Sequence, residues 1–138
     1  MTTYNEMAKA TREKWKDLIA DPKSIPTLYD NSDPKKANLP DDSVWVQLSL
    51  LTGTAFKALL TGKGAGRYRQ PGILVAAVHA PALKGTKAAE TLVDDIVNAF
   101  REATGGGVRY WTPTPERVGV RGPWWIINVN IPVTADDP

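Results

Sequence analysis

A long alternating strand followed at once by an amphipathic helix constrains the fold of this chain more than any other stretch. Residues 66–100 hold the strand, a short turn and the helix. From Ile73 to Ala80 both faces of the strand are largely apolar, which is typical of a central strand covered on each side. Pro71 has no N–H to donate to a ladder, so regular central pairing is expected to begin after it. The stretch therefore predicts a central strand with a covering helix.

The helix of this stretch has the spacing of a helix that packs on a sheet. Its apolar residues recur at intervals of three and four along the chain. They are Ala89, Leu92, Val93, Ile96 and Phe100. The opposite side carries Glu90, Asp94 and other polar residues, which favour water. We therefore expect the apolar stripe to be buried against the sheet.

Hydrophobic periodicity predicts further elements on both sides of this stretch. The first twenty residues form a helix, begun by the capping box of Thr3 and Glu6 and ended by Asp21 and Pro22. Strands are predicted over 44–50, 55–60, 108–112 and 124–133. Residues 116–120 continue the strand over 108–112 as an outer strand. The order is α-β-β-β-α-β-β. It predicts an α+β fold, with a mainly antiparallel β-sheet packed against two α-helices.

The length of 138 residues indicates a single domain, 1–138. Three parts of it fall outside the predicted helices and strands. A proline-rich extended arm spans 23–42, a glycine-rich hairpin tip spans 61–66, and a flexible tail spans 134–138. The arm either wraps its own domain or docks on a neighbour, and the sequence leaves both open. Its apolar residues are Ile25, Leu28 and Tyr29.

The composition excludes several kinds of site. The chain has no cysteine and one histidine, so thiol catalysis, disulfides, cysteine-ligated zinc and multi-histidine metal sites are excluded. We expect no metal and no cofactor. A formal net charge of +2 does not by itself indicate nucleic-acid binding. No apolar run approaches the roughly 20 residues that span a bilayer, so we expect a protein made in the cytosol with no membrane partner.

No motif of the sequence supports catalysis. The glycines at 62, 64 and 66 lie in a hairpin with no helix after them, so a dinucleotide-binding loop is excluded by context. Asp94 and Asp95 are adjacent on a helix and point to different sides. His79 is flanked by apolar residues on a strand, which favours a structural histidine over a general base. We therefore do not expect an enzyme.

The region around the hairpin tip is basic. No acidic residue occurs between Asp42 and Glu90, although fifteen acids spread evenly would leave about five there. The cations of this basic hairpin are Lys57, Lys63, Arg67 and Arg69. A positive projection is the one local electrostatic feature that the sequence indicates.

A family resemblance rests on the central stretch. The residues that carry it are Arg67-Tyr68-Arg69, Gly72, Leu74, Val78, Ala80-Pro81, Gly85, Ala88, Leu92, Asp95-Ile96 and Ala99-Phe100-Arg101. This pattern resembles the central signature of phage tail terminator proteins. These are also called tail completion or head–tail joining proteins, and they occur in long-tailed phages and prophages. The resemblance extends to Pro26–Asn31, to Trp45 and to a closing strand over 125–132.

The resemblance implies a structural virion protein rather than a catalyst. Proteins of this family form a homohexameric ring on the head-proximal end of the tail tube, although the free chain can be monomeric. The ring ends polymerisation of the major tail tube protein and offers a surface to the neck or head-completion protein. Double-stranded DNA passes through the bore without sequence-specific binding. The implied location is the phage tail, after synthesis in the bacterial cytoplasm.

Under this resemblance two groups of residues become candidate contacts. Three roles are open for the basic hairpin. It lines the bore, it meets an acidic partner on a rim, or its charges only keep an exposed loop in water. A closed ring also needs two different apolar patches on each subunit. The candidates for these are Ile25, Leu28, Tyr29, Tyr110, Trp111 and Trp124. Each of these is equally a candidate for the core, and for the two tryptophans the core is the favoured interpretation.

Three alternatives stand beside the terminator reading. One is another neck or head–tail connector protein of the same particle. A second is a small nucleic-acid-binding module, favoured by the pI of about 8.9, the basic hairpin and five tryptophans. A third is a small enzyme or ligand binder with a polar pocket around His79.

Overall fold

The fold is a curled antiparallel sheet with its helices on one side. The computed structural model describes residues 4–30, 32–36, 39–53, 56–59, 67–101 and 103–136, and for 56–59, 67, 68 and 136 it describes the backbone alone. Within these residues, eight strands form one sheet through seven strand pairings, of which six are antiparallel and one, at an edge of the sheet, is parallel. The predicted α+β class, a mainly antiparallel sheet with two helices, is confirmed.

The helical parts lie at the N-terminus and in the middle of the chain. They are α1 (Tyr4–Trp15), a π-helical turn (Lys16–Ala20), α2 (Asp21–Lys23) and α3 (Lys87–Phe100). The strands are β1 (Thr27–Tyr29), β2 (Trp45–Thr52), β3 (Phe56–Leu59), β4 (Arg67–Pro81), β5 (Thr104–Gly105), β6 (Val108–Tyr110), β7 (Thr114–Arg121) and β8 (Trp124–Asp136).

Two long strands, β4 and β8, form the middle of the sheet. They pair antiparallel from Arg69 opposite Asp136 to Pro81 opposite Trp124. On the far side of β4, β3 covers its first part and β2 covers the rest. On the far side of β8, β7 covers its first part and β6 its last. The short strands β1 and β5 then add to β2 and β6.

Strand β4 begins earlier than the expected start at Ile73. It runs from Arg67 through Pro71, and its pairing with β8 is unbroken there. The carbonyl of Pro71 accepts a hydrogen bond from Gly53 N–H at 3.0 Å, so the side of Pro71 without a donor faces β2 and β3. Pairing with β2 begins at Gly72, as Pro71 predicts, because the missing N–H interrupts the ladder on that side only.

The core lies between the sheet and the helices. Alternate residues of β4 and β8 point into it, and the predicted stripe of α3, from Ala89 to Phe100, is buried as expected. Trp15 at the end of α1 is buried and stacks on Phe100 at 6.1 Å between ring centroids. Its Nε1 donates to Thr27 Oγ1 at 3.0 Å, which ties the first helix to β1.

The other face of the sheet has no helix on it. Ile73 is exposed, and Val75 and Ala77 are half-buried, so the expectation that β4 is covered on both faces is wrong for the described residues. The reason is the small size of the side chains, because alanine and valine on an open face expose little apolar area. The sheet is thus covered on one side within the described chain.

Within the segment 23–42, residues 25–30 pack on their own domain and include a short strand, where an arm without regular structure was expected. Residues Thr27–Tyr29 pair parallel with β2, and Leu28 is buried. The carbonyl of Pro26 accepts from Val46 N–H at 3.0 Å, and the Asp30 carboxylate accepts from Leu50 N–H at 3.1 Å. These bonds satisfy the edge of β2 that would otherwise be open.

The first helix continues past its predicted end. A π-helical turn over Lys16–Ala20 follows α1, and Pro22 lies in the first turn of α2. Proline is tolerated there because its missing N–H has no partner in the first turn of a helix. Thr3 of the expected capping box lies outside the described residues.

The C-terminal end of the chain is a strand up to Asp136, not the expected flexible tail. Ala135 is buried and lies opposite Val108 of β6, so 134–136 belong to the sheet. Residues 137 and 138, and the predicted hairpin tip at 61–66, lie outside the described residues. Gly106 and Gly107 have positive φ and make the turn between β5 and β6.

Removing one hydroxyl group should stabilise this core. Tyr110 is 1% exposed, and its hydroxyl has no hydrogen-bond partner within the described part of the chain. An unpaired buried hydroxyl costs about 1–3 kcal/mol. Tyr110→Phe keeps the ring contact with Phe100, so urea denaturation should show an unfolding free energy higher by about 1 kcal/mol. A lower value would mean that the hydroxyl does stabilise the fold.

Candidate functional site: surfaces for assembly

The histidine lies in an aromatic cluster at one end of the sheet. His79 stacks on Trp45, which is directly opposite it on β2, at 3.9 Å between ring centroids. Trp124 meets Trp45 edge-on at 5.6 Å. The Nδ1 atom of His79 lies 2.8 Å from the Ala77 carbonyl oxygen, so Nδ1 is the nitrogen placed to donate. Burial lowers the pKa of His79 below its usual 6.5, and the Ala77 carbonyl opposes part of this effect.

This environment does not resemble the polar pocket expected of a general base. A cavity of about 700 Å³ lies between the start of α3 and the start of β2, and its lining includes Ala80, Lys84, Lys87 and Thr91 but not His79. Among the residues that the structure describes, no three histidine, cysteine or acidic side chains are grouped to hold a metal. The cluster therefore packs the end of the sheet.

The neutral state of His79 should make stability depend on pH. Between the lowered pKa in the folded chain and 6.5, the unfolded chain binds more protons, so the free energy of unfolding should fall as the pH drops through that window. The slope is at most about 1.4 kcal/mol per pH unit. We expect His79→Phe, which keeps the stack, to lose this part of the pH dependence. Equal pH dependence of both chains in urea denaturation between about pH 7 and about pH 5 would contradict this assignment.

The basic hairpin is only partly within the described structure. Strand pairing sets the backbone of Lys57 opposite Tyr68, between Arg67 and Arg69 on the neighbouring strand. Arg69 is half-buried, and Lys63 lies outside the described residues. The sheet therefore brings three of the four predicted cations to one region of backbone, and the contact they make with a partner stays a prediction.

Two of the predicted interface residues are part of the core. Leu28 is buried by the pairing of β1 with β2, and Tyr110 is buried against Phe100. Ile25 and Tyr29 are half-buried and pack against the same core. Leu28 and Tyr110 are therefore corrected: neither presents a surface to a partner, because the domain itself buries them.

The two predicted tryptophans differ in their surroundings. Trp124 is half-buried in the aromatic cluster with His79 and Trp45. Trp111 is 46% exposed. Its Nε1 donates to Thr134 Oγ1 at 3.3 Å, which sets the ring on the face of the sheet without helices. Trp111 is thus the predicted interface residue with the most apolar surface open to a partner.

Trp111 belongs to an exposed row of side chains across the sheet. Leu51 lies opposite Ile73, Ile73 lies opposite Pro132, and the Trp111 N–H donates to the Pro132 carbonyl at 2.8 Å. Leu51 is 60% exposed and Ile73 is 42% exposed. We name Leu51, Ile73, Pro132 and Trp111 the apolar band.

Between the apolar band and the aromatic cluster around His79, the face of the sheet without helices is uncharged on β2, β4 and β8. The side chains of this stretch are amides, a hydroxyl or small apolar groups. They include Gln47, Ser49, Val75, Ala77, Asn128 and Asn130. Charge enters at the neighbouring strand, where Glu116 of β7 accepts a hydrogen bond from Asn130 Nδ2 at 3.2 Å.

A second exposed apolar group lies at the opposite end of β4. Leu83, in the turn between β4 and α3, is 100% exposed and has a φ of 65°. The turn is held to the sheet by a hydrogen bond from Ala82 N–H to the Pro123 carbonyl at 2.9 Å. Val120, on β7 at the same end of the sheet, is also exposed. We name this group the Leu83 turn.

Sequence reasoning missed Leu51, Ile73 and Leu83 as surface residues. Leu51 lies one residue beyond the predicted strand, and Ile73 was assigned to a covered face. The signal that could have identified the open face is the alternation of amides along β8, where Asn128 and Asn130 point away from the core. Leu83 gave no signal, because one leucine in a turn has no pattern.

Comparison with known proteins supports the fold alone. No family model matches the chain, and no curated protein sequence matches it either. The chain is similar to a solved structure whose name states no function, with a TM-score of 0.70 and 13% sequence identity, over 98% of this chain and 96% of that one. In the described residues, no helix is long and apolar enough to cross a membrane. The likeness to the solved structure shows a shared fold.

Proposed function

We propose that this chain is a structural protein of a phage tail, and that it closes the head-proximal end of the tail tube as a ring. The observation that carries the proposal is the presence of two unlike apolar surfaces, the apolar band and the Leu83 turn, at opposite ends of one sheet. The resemblance of the central stretch to phage tail terminator proteins gives this arrangement a role.

The physical support comes from the symmetry of rings. A ring with rotational symmetry joins subunits head to tail, so each subunit must carry two different surfaces that fit each other. A chain that acted alone would gain nothing from exposing Leu51, Ile73, Trp111 and Leu83 to water. Exposed apolar groups at two separate places support a subunit with a neighbour on each side.

The remaining parts of the proposed role follow the resemblance. The ring ends polymerisation of the major tail tube protein on one side and offers a surface to the neck or head-completion protein on the other. DNA passes through the bore, and cations near it tolerate phosphates without reading bases. The proposed location is the virion, and no catalytic step is assigned to the chain.

Deletion of the gene, followed by electron microscopy of the lysate, tests this function. We expect filled heads beside overlong or unjoined tails, because nothing would end the tube or prepare it for the neck. Supplying the chain from a plasmid should restore joined particles of normal length. Particles that are normal without the chain would contradict the proposal.

The same images separate the terminator from the runner-up, a neck or head–tail connector protein. Loss of a connector leaves tails of normal length that do not join heads, whereas loss of a terminator also changes tail length. The distribution of tail lengths is therefore the measurement that decides between the two roles.

A further inference from the structure

We propose that copies of this chain join head to tail, with the Leu83 turn of one copy seated on the apolar band of the next. The inference rests on the proposed ring and names the contact that builds it. It concerns the two surfaces left after the domain has buried its own core, and both belong to the same chain.

The band is the largest grouping of exposed apolar side chains in the described residues. Of the six large apolar side chains most open to solvent there, three lie in this one row: Leu51, Ile73 and Trp111. The row crosses from β2 to the segment after β6, which spans about 14 Å at the usual spacing of strands. A flat apolar row of this width suits a small protruding side chain of a partner.

Leu83 has the properties of such a protruding group. It is wholly exposed, so it contributes nothing to the core of its own chain. Its φ of 65° is a conformation that leucine adopts reluctantly and that asparagine or glycine adopts more easily. An exposed leucine in this conformation is unfavourable for the free chain. Burial against a second copy would offset that disadvantage.

The distance between the two surfaces prevents them from meeting within one chain. The strand from Ile73 to Pro81 covers about 26 Å, and Leu83 lies in the turn beyond its end. A contact of band with band would cover the first surface and leave Leu83 in water. A head-to-tail contact covers both surfaces with one geometry, and it leaves a free band and a free turn at the ends until a ring closes.

Charges beside the two surfaces favour one orientation of the contact. Asp30 lies beside the β2 end of the band, where its carboxylate accepts the Leu50 N–H bond. Arg109 lies at the other end, with its guanidinium 5.6 Å from the Trp111 ring centroid. Lys84 follows Leu83 and is exposed. Lys84 therefore fits the Asp30 end and is repelled from the Arg109 end.

The dimensions agree with a ring that admits DNA. Six subunits, the number that the family resemblance implies, with about 26 Å between successive contacts give a circumference of about 160 Å and a diameter of about 50 Å. A sheet with one layer of helices is about 20 Å thick. The open centre is then about 30 Å wide, which is enough for duplex DNA.

Cysteine crosslinking tests the contact directly, because the chain has no cysteine of its own. Leu83→Cys and Ile73→Cys are made in separate chains, mixed, and treated with a short bis-maleimide. Docked thiols are at millimolar effective concentration, so we expect about tenfold more covalent dimer in the mixture than in either chain alone. The chain with both substitutions should give a ladder of products that ends at a closed ring.

A matched control uses the exposed face of α3. Asp94→Cys replaces Leu83→Cys in the same mixture, because residue 94 is also exposed but lies on the opposite layer. Equal yields with Asp94→Cys would overturn the contact. Dimers formed by Ile73→Cys alone would also overturn it and would indicate that two bands face each other.

A second variant separates the stability of the free chain from the strength of the contact between copies. Leu83→Asn removes the apolar group and suits the positive φ, so the melting temperature of the free chain should stay the same or rise. The contact is then measured with Lys84→Cys, at the neighbouring position, mixed with a chain that carries Ile73→Cys. The yield of crosslinked dimer should fall several-fold relative to the same pair of cysteines in a chain that keeps Leu83. Crosslinking that is unaffected by Leu83→Asn would contradict the role of this leucine.

The outcome is separable from that of the proposed function. Head-to-tail crosslinks in a chain whose deletion leaves normal tails would support the contact and refute the tail role. Tail defects on deletion without these crosslinks would support the tail role and refute this contact. Crosslinks of Ile73→Cys to another tail protein, in place of a second copy, would assign the band to that partner and overturn the inference.

Discussion

The antiparallel pairing of β4 with β8 is the interaction on which the rest of the structure depends. These two strands pair from Arg69 opposite Asp136 to Pro81 opposite Trp124, and the other strands are added to their outer sides. Because side chains alternate along a strand, this pairing gives the sheet one face of core residues and one face of small, polar and exposed residues. The helices cover the core face, with Trp15 and the stripe of α3 filling it. The second face carries no helix within the described residues, as is common for one face of an antiparallel sheet.

In the proposed ring, the open face is a surface of assembly. Between its two ends the inner strands carry amides and small uncharged groups, and the exposed apolar side chains Leu51, Ile73 and Trp111 are gathered at one end in the apolar band. At the other end of β4 lie the aromatic cluster around His79 and the Leu83 turn, which is held to the sheet by the hydrogen bond from Ala82 N–H to the Pro123 carbonyl. In the proposed ring, a sheet with one contact at each end sets the distance and angle between neighbours. Such a subunit suits a closed ring, because small errors in angle would otherwise accumulate around it.

The sequence predicted the fold class, the central strand and the buried stripe of α3, because periodicity reports directly on which side of an element meets the core. It did not predict the parallel pairing of β1, since a strand of three residues between prolines has no period to detect. It also assigned both faces of β4 to a covered environment, because alanine and valine are apolar on either face and only the neighbouring strands decide whether a layer lies above them. Of the candidate surface, Trp111 was predicted, whereas Leu51 and Ile73 depend on the register between strands, and Leu83 depends on the conformation of a single turn.

The central claim is that the open face of this domain is covered by another copy when the protein is at work. Maleimide labelling of Ile73→Cys, in the free chain and in finished particles that the variant has restored, tests that claim most directly. The account predicts rapid labelling of the free chain and strong protection in the particle, while Asp94→Cys is labelled equally in both. Labelling of Ile73→Cys at the same rate in the particle and in the free chain would contradict it.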